Sequence, residues 1–530
     1  MEHLELVVLG LLVAVAGLVL LANVLKVPYP ILLVIGGLAL GFVPGLPEVE
    51  LEPNLVLLIF LPPLLYSTAF FSSLRDLRAN IRPIGLLSVG LVALTTVVVA
   101  GVARWAVGLP WAAAFVLGAI VSPTDPVAAT AIAERLRVPR RIVNVLEGES
   151  LINDGTALVL YQVAVIAVVE GYFSFVETGL RFVFGILVGV AIGLAVGWVI
   201  AHVRRRIEDP LVEITISMFT GYAAYLPAEE LGASGVLAAV SAGLYLGWHS
   251  PEFVSPRTRL QAIPVWDVIV FILNSLLFIL VGLQLPNVLD GLSGYTSATL
   301  VLYAAVVSLA VIGARILGVF PATYIPRRLS RRLRERDPSP PWQNVAVIAN
   351  AGMRGAVSLA AALALPITAE AGAAFPGRNV IIFLTFCVIL VTLVLQGLSL
   401  PLLIRRLGLE DDRSSEWEEI NARLLAAEAA LERIEELADE DWVREDTADR
   451  LRGLYGYRRR RFAAQTGNLD PDEDGEDYEE RSAAFQRLRR ELLAAERKAL
   501  LRLRSQGEIG EGAMRRVERD LDLEDQRLEI

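Results

Sequence analysis

The sequence predicts an all-α membrane protein that carries a helical tail outside the bilayer. Its 530 residues are 55% hydrophobic and 20% charged, where a soluble chain of this size would hold nearer a quarter charged residues. The charges are also unevenly placed. Residues 409–530 contain 22 Lys and Arg against 34 Asp and Glu, a net of −12, while the first 408 residues carry a net of +2. The third observation is repetition. Apolar runs of about 17–25 residues, each long enough to cross ~30 Å of hydrocarbon, recur through residues 1–408 and stop there. Two domains follow: a transmembrane domain over 1–408 and a charged helical tail over 409–530.

The candidate spans, in order, are 4–24, 29–45, 52–71, 83–103, 111–133, 142–169, 178–202, 210–226, 230–248, 263–284, 297–324, 343–367 and 379–404, thirteen in all. Cationic loops test the number, because Lys and Arg collect on the cytoplasmic side. With the amino end outside, the inner loops hold Lys26; Arg75, Arg78 and Arg82; Arg135, Arg137, Arg140 and Arg141; and Arg204, Arg205 and Arg206. They continue with Arg257 and Arg259; Arg327, Arg328, Arg331, Arg332, Arg334 and Arg336; and Arg405 and Arg406, so 21 of this domain's 26 cations lie inside. The outer loops hold only Arg104, Arg181 and Arg378, beside acidic stretches at Glu48–Glu52 and Glu229–Glu230. An even number of spans would break the alternation. The first apolar run starts behind Glu2 and Glu5 without a basic leader or a cleavage site, so it is expected to be retained.

Within the spans lie Arg315 and Arg354 together with four acids, Asp125, Glu147, Glu149 and Asp154. Ionisable groups at membrane depth are costly, and they are usually paired and functional. Three segments hold most of them. In the run Gly118–Val127, Pro123 and Pro126 bracket Thr124 and Asp125. Each proline removes a backbone donor and clashes with the carbonyl a turn earlier, so the helix should break there. A broken backbone at that depth is tolerated only where it is buried in protein or lines a cavity. The freed carbonyls and the Thr124 hydroxyl suit a small cation.

The second segment, Glu147–Thr156, sets Glu149 above Asn153 and Ser150 above Asp154 at helical spacing. A buried carboxylate with such neighbours binds a dehydrated cation or a proton, not both together. Competition for Asp154 would then give exchange, while Asn153 is uncharged and could only hydrogen-bond. The third segment, Asn350–Ser358, is rich in small residues that let helices approach closely. There Arg354 is expected to need a carboxylate. Arg315 is similarly dry, and Glu149 is the natural partner of one of the two arginines.

These segments resemble a known family. Ser122-Pro-Thr-Asp-Pro126, Glu147–Gly155 and Gly352-Met-Arg-Gly-Ala356, in this order and spacing, look like motifs of the cation–proton antiporter 1 family of bacterial sodium/proton antiporters. Val265–Phe271 and Asn274–Gly282 match the same pattern, and the likeness covers roughly residues 5–405. More weakly, Gly507-Glu-Ile and Arg519–Glu524 look like the tails of long-tailed bacterial members. The resemblance implies a homodimer of thirteen-span protomers in the cell (inner) membrane. It also implies inverted repeats with two crossing broken helices, divided into dimerisation and core subdomains. Ion and proton binding would fall on Asp154, Thr124, Ser150, Asp125 and Asn153, with the monovalent cation itself ligated by Asp154, Thr124 and Ser150. Asn153 with Asp154 would accompany electroneutral exchange driven by elevator-like movement, and Glu149 would pair with an arginine. One departure stands out: relatives often place an acid after the Leu61-Pro-Pro stretch, where this chain has Ser67 and Thr68.

The tail reads as helical over 416–465, with Leu424, Leu431, Ile434 and Leu437 on one face and a cationic cluster at Arg458–Arg461. An acidic linker at Asp470–Glu480 contains Pro471. Further helices are expected at 481–505, with Phe485, Leu488, Leu492 and Leu501 on one face, and near 511–528. The tail would assemble with its dimer mate or regulate transport, and its Arg458–Arg461 cluster would meet anionic lipid or the acidic linker.

Composition excludes other classes. A net charge of −10 argues against nucleic acid as a partner, the lone Cys387 against a disulfide scaffold, and the scattered His3, His202 and His249 against a histidine metal site. No phosphate-binding loop or nucleophile motif points to an enzyme, and no cofactor is expected. A potassium/proton antiporter with a regulatory tail and, further off, an ion channel are the alternatives.

Overall fold

The computed structural model describes residues 2–25, 27–43, 53–170, 175–292, 294–369, 373–409, 414–438, 440–466, 475–506 and 508–529. The chain divides into two compact units, Met1–Asp411 and Asp412–Ile530. Among the described residues every extended element is a helix, and the only β-type pairing is an isolated bridge between Thr368 and Ala374.

The first unit begins with α1 (Glu2–Leu25), α2 (Tyr29–Gly41) and α3 (Pro53–Phe71), followed by α4 over Ile81–Val107. Next come α5 (Trp111–Val121), α6 (Val127–Arg135), α7 (Arg140–Val169), α8 (Phe175–Arg204) and α9 (Pro210–Glu230). The unit continues with α10 (Gly235–Phe253), α11 (Pro256–Leu283) and α12 (Ser297–Leu329). It closes with α13 (Trp342–Asn350), α14 (Ala356–Leu363) and α15 over Arg378–Leu407. Six stretches, in α4, α7, α8, α11, α12 and α15, are long and apolar enough by length and composition to cross a membrane. The chain is therefore a multi-pass membrane protein.

Local chemistry sets the ends of these helices. Asp209, Ser234, Ser255 and Thr296 each accept a hydrogen bond from a backbone N–H in the first turn of α9, α10, α11 and α12, which satisfies donors the helix cannot. These caps correct two expected boundaries. The run expected at 230–248 starts as α10 only at Gly235, because Gly232 takes a left-handed φ of 69° and Ser234 caps the new helix. The run expected at 263–284 starts at Pro256, where proline at the first position follows the Ser255 cap. Helix α4 contains two π-helical turns, Leu86–Leu91 within the expected run and Ala103–Val107, which carries it past that run's carboxy-terminal end.

Close packing rests on small residues. A Cβ on Gly282 of α11 would overlap the Val34 carbonyl and the backbone of Gly37 and Leu38, so α2 and α11 touch backbone to backbone. The expected break within residues 111–133 falls between α5 and α6, and a second separates α13 from α14 over residues 351–355.

In the tail unit, the expected helix over 416–465 is two helices, α16 (Ser414–Leu437) and α17 (Glu445–Thr466), which pack against each other. Arg452 clasps Glu435 across them. Helix α18 (Gly475–Ser505) starts earlier than expected, inside the acidic stretch, and packs on α19 (Glu511–Glu529) through Arg489–Glu524 and Arg497–Asp522 pairs. Leu424 is buried, whereas Phe485, Leu488, Leu492 and Leu501 are exposed. Residues 44–52, 467–474 and Gly507, on which the Glu48–Glu52 loop, part of the linker and one tail motif fall, lie outside the described residues.

Candidate functional site

The two breaks meet. The backbone N–H of Asp125, between α5 and α6, donates to the carbonyl of Met353, between α13 and α14, at 2.8 Å. In the first break, Pro123 and Pro126 deny the helix its donors. In the second there is no proline, and the chain opens at Gly352 and Gly355.

A helix broken inside a membrane leaves unpaired N–H groups at one end and unpaired carbonyls at the other. Its ends also carry partial charges, positive at the amino and negative at the carboxyl end. Two ionised side chains answer both needs. Asp125 accepts from the Val127 N–H at 2.9 Å, at the start of α6. The same carboxylate lies against Gly355, the residue just before α14, where any Cβ would overlap it. Asp125 thus serves two positive helix ends. Arg354 does the reverse. Its Nε donates to the carbonyl of Val121, the last residue of α5, at 3.0 Å, and another nitrogen donates to Gly352. The expectation that Arg354 needs a carboxylate is corrected here: carbonyls at a helix end take that place.

The choice of partner for Glu149 resolves to Arg315. Two guanidinium nitrogens reach the two carboxylate oxygens at 2.6 and 3.1 Å, and both side chains are at most 2% exposed. Arg315 also donates to the Ile348 carbonyl at 2.9 Å, which ties α12 and α7 to the end of α13. Thr124 joins this network. Its hydroxyl donates to Glu149 at 3.3 Å and accepts from the Asn153 amide at 2.9 Å, while its carbonyl accepts from the Ser150 hydroxyl. Helix α7 therefore grips the first break with three successive polar side chains.

Beside the crossing is a cavity of about 100 Å³. Thr124, Asp125, Ser150 and Asp154 line it, with α3 and α11 forming the opposite wall through Leu61, Leu64, Leu65, Thr68, Val270 and Asn274. Asn153 stands behind Thr124 and not in the lining. Asp154 makes no hydrogen bond or ion pair among the described residues. It is thus the one lining carboxylate without a fixed protein partner, since Asp125 is spent on helix ends. Glu147, one turn before Ser150, is half-buried and does not line the cavity. Where the family often carries an acid, Thr68 lines the cavity and Ser67 does not; both hydroxyls donate to the Leu64 carbonyl. A cation here would meet one carboxylate, hydroxyls and an amide.

Three features escaped the sequence reading. Asn274 and Ser358 line the cavity; both fall in segments singled out above, Asn274–Gly282 and Asn350–Ser358, but neither was assigned a role there. A second buried pair joins Arg204 to Glu213 at 3.4 Å, with Thr258 donating to the same carboxylate at 3.0 Å. Arg204, counted above as a loop residue, is the last residue of α8 and is buried, because Glu213 and the ring of Phe253 receive it.

Comparisons with known proteins agree with this geometry. The family described as sodium/hydrogen exchanger, transmembrane, matches residues 10–406. An uncharacterised Na(+)/H(+) exchanger of Mycobacterium tuberculosis is 39% identical over 98% of this chain and 96% of its own. The Na(+)/H(+) antiporter ApNhaP of Aphanothece halophytica is 36% identical over 82% of this chain and 80% of its own. Among solved structures, the sodium proton antiporter MjNhaP1 of Methanocaldococcus jannaschii superposes with a TM-score of 0.58. It covers 76% of this chain and 99% of its own at 20% identity, which establishes a shared fold. The whole-length match to the Mycobacterium tuberculosis protein includes the tail. The chain belongs to the sodium/hydrogen exchanger family, whose members are transporters and not enzymes.

Proposed function

We propose that this protein exchanges a monovalent cation, sodium first, for protons across the cell membrane, with the two ions competing for Asp154. One observation carries the reading: Asp154 faces the cavity without a fixed partner, while Asp125, Glu149, Arg315 and Arg354 are all engaged. A single uncommitted carboxylate holds one cation or one proton, so the exchange is electroneutral. Asn153 adds no second titrating group. Ser150 and Thr124 supply further oxygens, and no cofactor takes part.

The chain crosses the membrane thirteen times, with its amino end outside and its tail in the cytoplasm, a topology supported by the cationic loops. Residues 1–408 form the transporter and 409–530 the tail. The protein works as a homodimer in a lipid bilayer. The crossed breaks with α7 form the moving core, and α3 and α11 belong to the wall past which it travels as an elevator. Thr68, standing where relatives often carry an acid, leaves the potassium/proton reading as the second candidate, because it removes a charge that would favour the smaller ion. The channel reading lacks support, since a pore needs no competing carboxylate.

Inverted membrane vesicles with an imposed acid interior and a pH-sensitive dye test the proposal. Sodium, lithium and potassium are added in turn to wild type and Asp154→Asn. Cation-dependent proton release that is absent in the variant supports antiport and names the ion. Full release by Asp154→Asn would sink the mechanism.

A further inference from the structure

The oxygens of the expected ligand set are mostly committed. The Thr124 carbonyl accepts from Ser150, and the Thr124 hydroxyl is shared between Glu149 and Asn153. That leaves the Asp154 carboxylate and the lone pairs of Ser150. A hard cation stripped of water is held by roughly six oxygens, so protein or water must provide more. Two polar side chains on other elements remain uncommitted at the same cavity. Ser358 on α14 is 2% exposed, and its hydroxyl oxygen is buried with no hydrogen-bond partner. Asn274 on α11 is 5% exposed and makes no side-chain hydrogen bond among the described residues. Both line the cavity that holds Asp154. Buried polar groups are rarely left unpaired in a finished fold, and an unpaired hydroxyl beside a carboxylate-lined cavity is explained by a ligand that comes and goes.

The position of Ser358 supports this use. It lies in the first turn of α14, whose positive end would repel a cation. Asp125 against Gly355 neutralises that end, so the hydroxyl can face a cation without the penalty. We propose that the Ser358 hydroxyl and the Asn274 carboxamide oxygen complete the shell of the bound monovalent cation opposite Asp154 and Ser150. The ion then bridges the two broken helices and the α11 wall. Serine stays with the core, whereas Asn274 belongs to the wall, so its contact is made in one position of the core and lost in the other. This assignment rests on the antiport reading and extends it to ion affinity.

The test measures cation-driven proton exchange in proteoliposomes over a range of sodium and lithium concentrations, together with the rise in melting temperature that each ion gives the detergent-solubilised protein. Ser358→Ala should raise the KM for the cation about tenfold at an unchanged maximal rate and remove most of the ion-induced stabilisation. Ser358→Cys, of similar size but without a hard oxygen, should behave alike even if the alanine variant folds poorly. Ser358→Thr should restore both readouts. Asn274→Ala should raise KM in the same sense. A KM within about twofold of wild type in both Ser358→Ala and Ser358→Cys, with ion-induced stabilisation intact, overturns the assignment while leaving antiport standing. A wild-type protein without cation-dependent exchange or stabilisation overturns both.

Discussion

Replacing Glu149 by glutamine probes a fully buried charge pair beside the crossed breaks. The substitution keeps the shape of the side chain but removes the charge that Arg315 meets at 2.6 and 3.1 Å. Breaking a buried pair from one side costs about 3–5 kcal/mol, because the remaining charge stays desolvated. The loss is partly offset here. Glutamine can still accept from Arg315 or Thr124 through its one carbonyl oxygen, worth about 1 kcal/mol, and Arg315 keeps the Ile348 carbonyl. The net destabilisation is therefore about 2–4 kcal/mol. For a unit of this size that corresponds to a melting temperature lower by about 2–5 °C, read from fluorescence-detected aggregation of detergent-solubilised protein on heating. A double replacement, Glu149→Leu with Arg315→Met, removes both charges and should recover much of the loss, as apolar substitutes for buried pairs often do. A melting temperature for Glu149→Gln within about 1 °C of wild type would refute the pairing as a structural clamp.

Other outcomes follow from the same geometry. Gly355→Ala places a Cβ inside the Asp125 carboxylate, so the variant should be recovered poorly and exchange no ions; normal yield and transport in a vesicle assay would contradict the crossing. Gly282→Ala drives α11 away from α2 at the Val34 carbonyl and should cost about 1–3 kcal/mol as overpacking does, seen as a lowered melting temperature with the KM for the cation unchanged. Outside the spans, Asp337 clasps Arg141 and Arg327. Partial burial pushes its carboxyl up, but the two arginines together outweigh that and hold it below the usual carboxylate value. A carboxylate held low contributes stability above its unfolded value of about 4 and loses it only as pH falls through the lower folded value. Asp337→Asn should therefore lower the melting temperature by the same amount from pH 6 to pH 9, and a difference that varies with pH across that range would contradict the clasp.

Much of this architecture was legible because a bilayer leaves few choices. Apolar runs must become helices, and their cationic borders mark them, so each expected run up to 379–404 has helical counterparts. Boundaries moved where a local cap outranked hydropathy, as at Ser234 and Ser255. The first break could be read from Pro123 and Pro126. The second could not be read from backbone chemistry, because glycine permits an opening without requiring it; only the likeness of the Gly352–Ala356 motif pointed to it. The partner of Arg354 was illegible for a deeper reason. Its acceptors are backbone carbonyls at a helix end, and carbonyls are present at every position of every sequence. The roles of Asn274 and Ser358, inside segments that were singled out, escaped for a related reason: a small uncharged polar residue gains meaning only when the fold places a cavity beside it.

The Glu149–Arg315 pair also constrains the order in which the chain can be built. Its two residues are 166 positions apart, and Asp125 meets the Met353 carbonyl from still further along the sequence. At elongation rates of about 5–20 residues per second, the first carboxylates wait roughly 10–45 s for their partners. During that interval α7 is an acidic helix without its counter-charge, and the first break has no second break to close upon. Insertion of the amino-terminal half is thus provisional, and the arrival of α12 is the event that commits it. A ribosome-bound chain stopped before Arg315 should leave Glu149 open to carboxyl-directed labelling, and one stopped well beyond Arg315 should protect it; equal labelling of the two would show that the order of synthesis imposes no such wait.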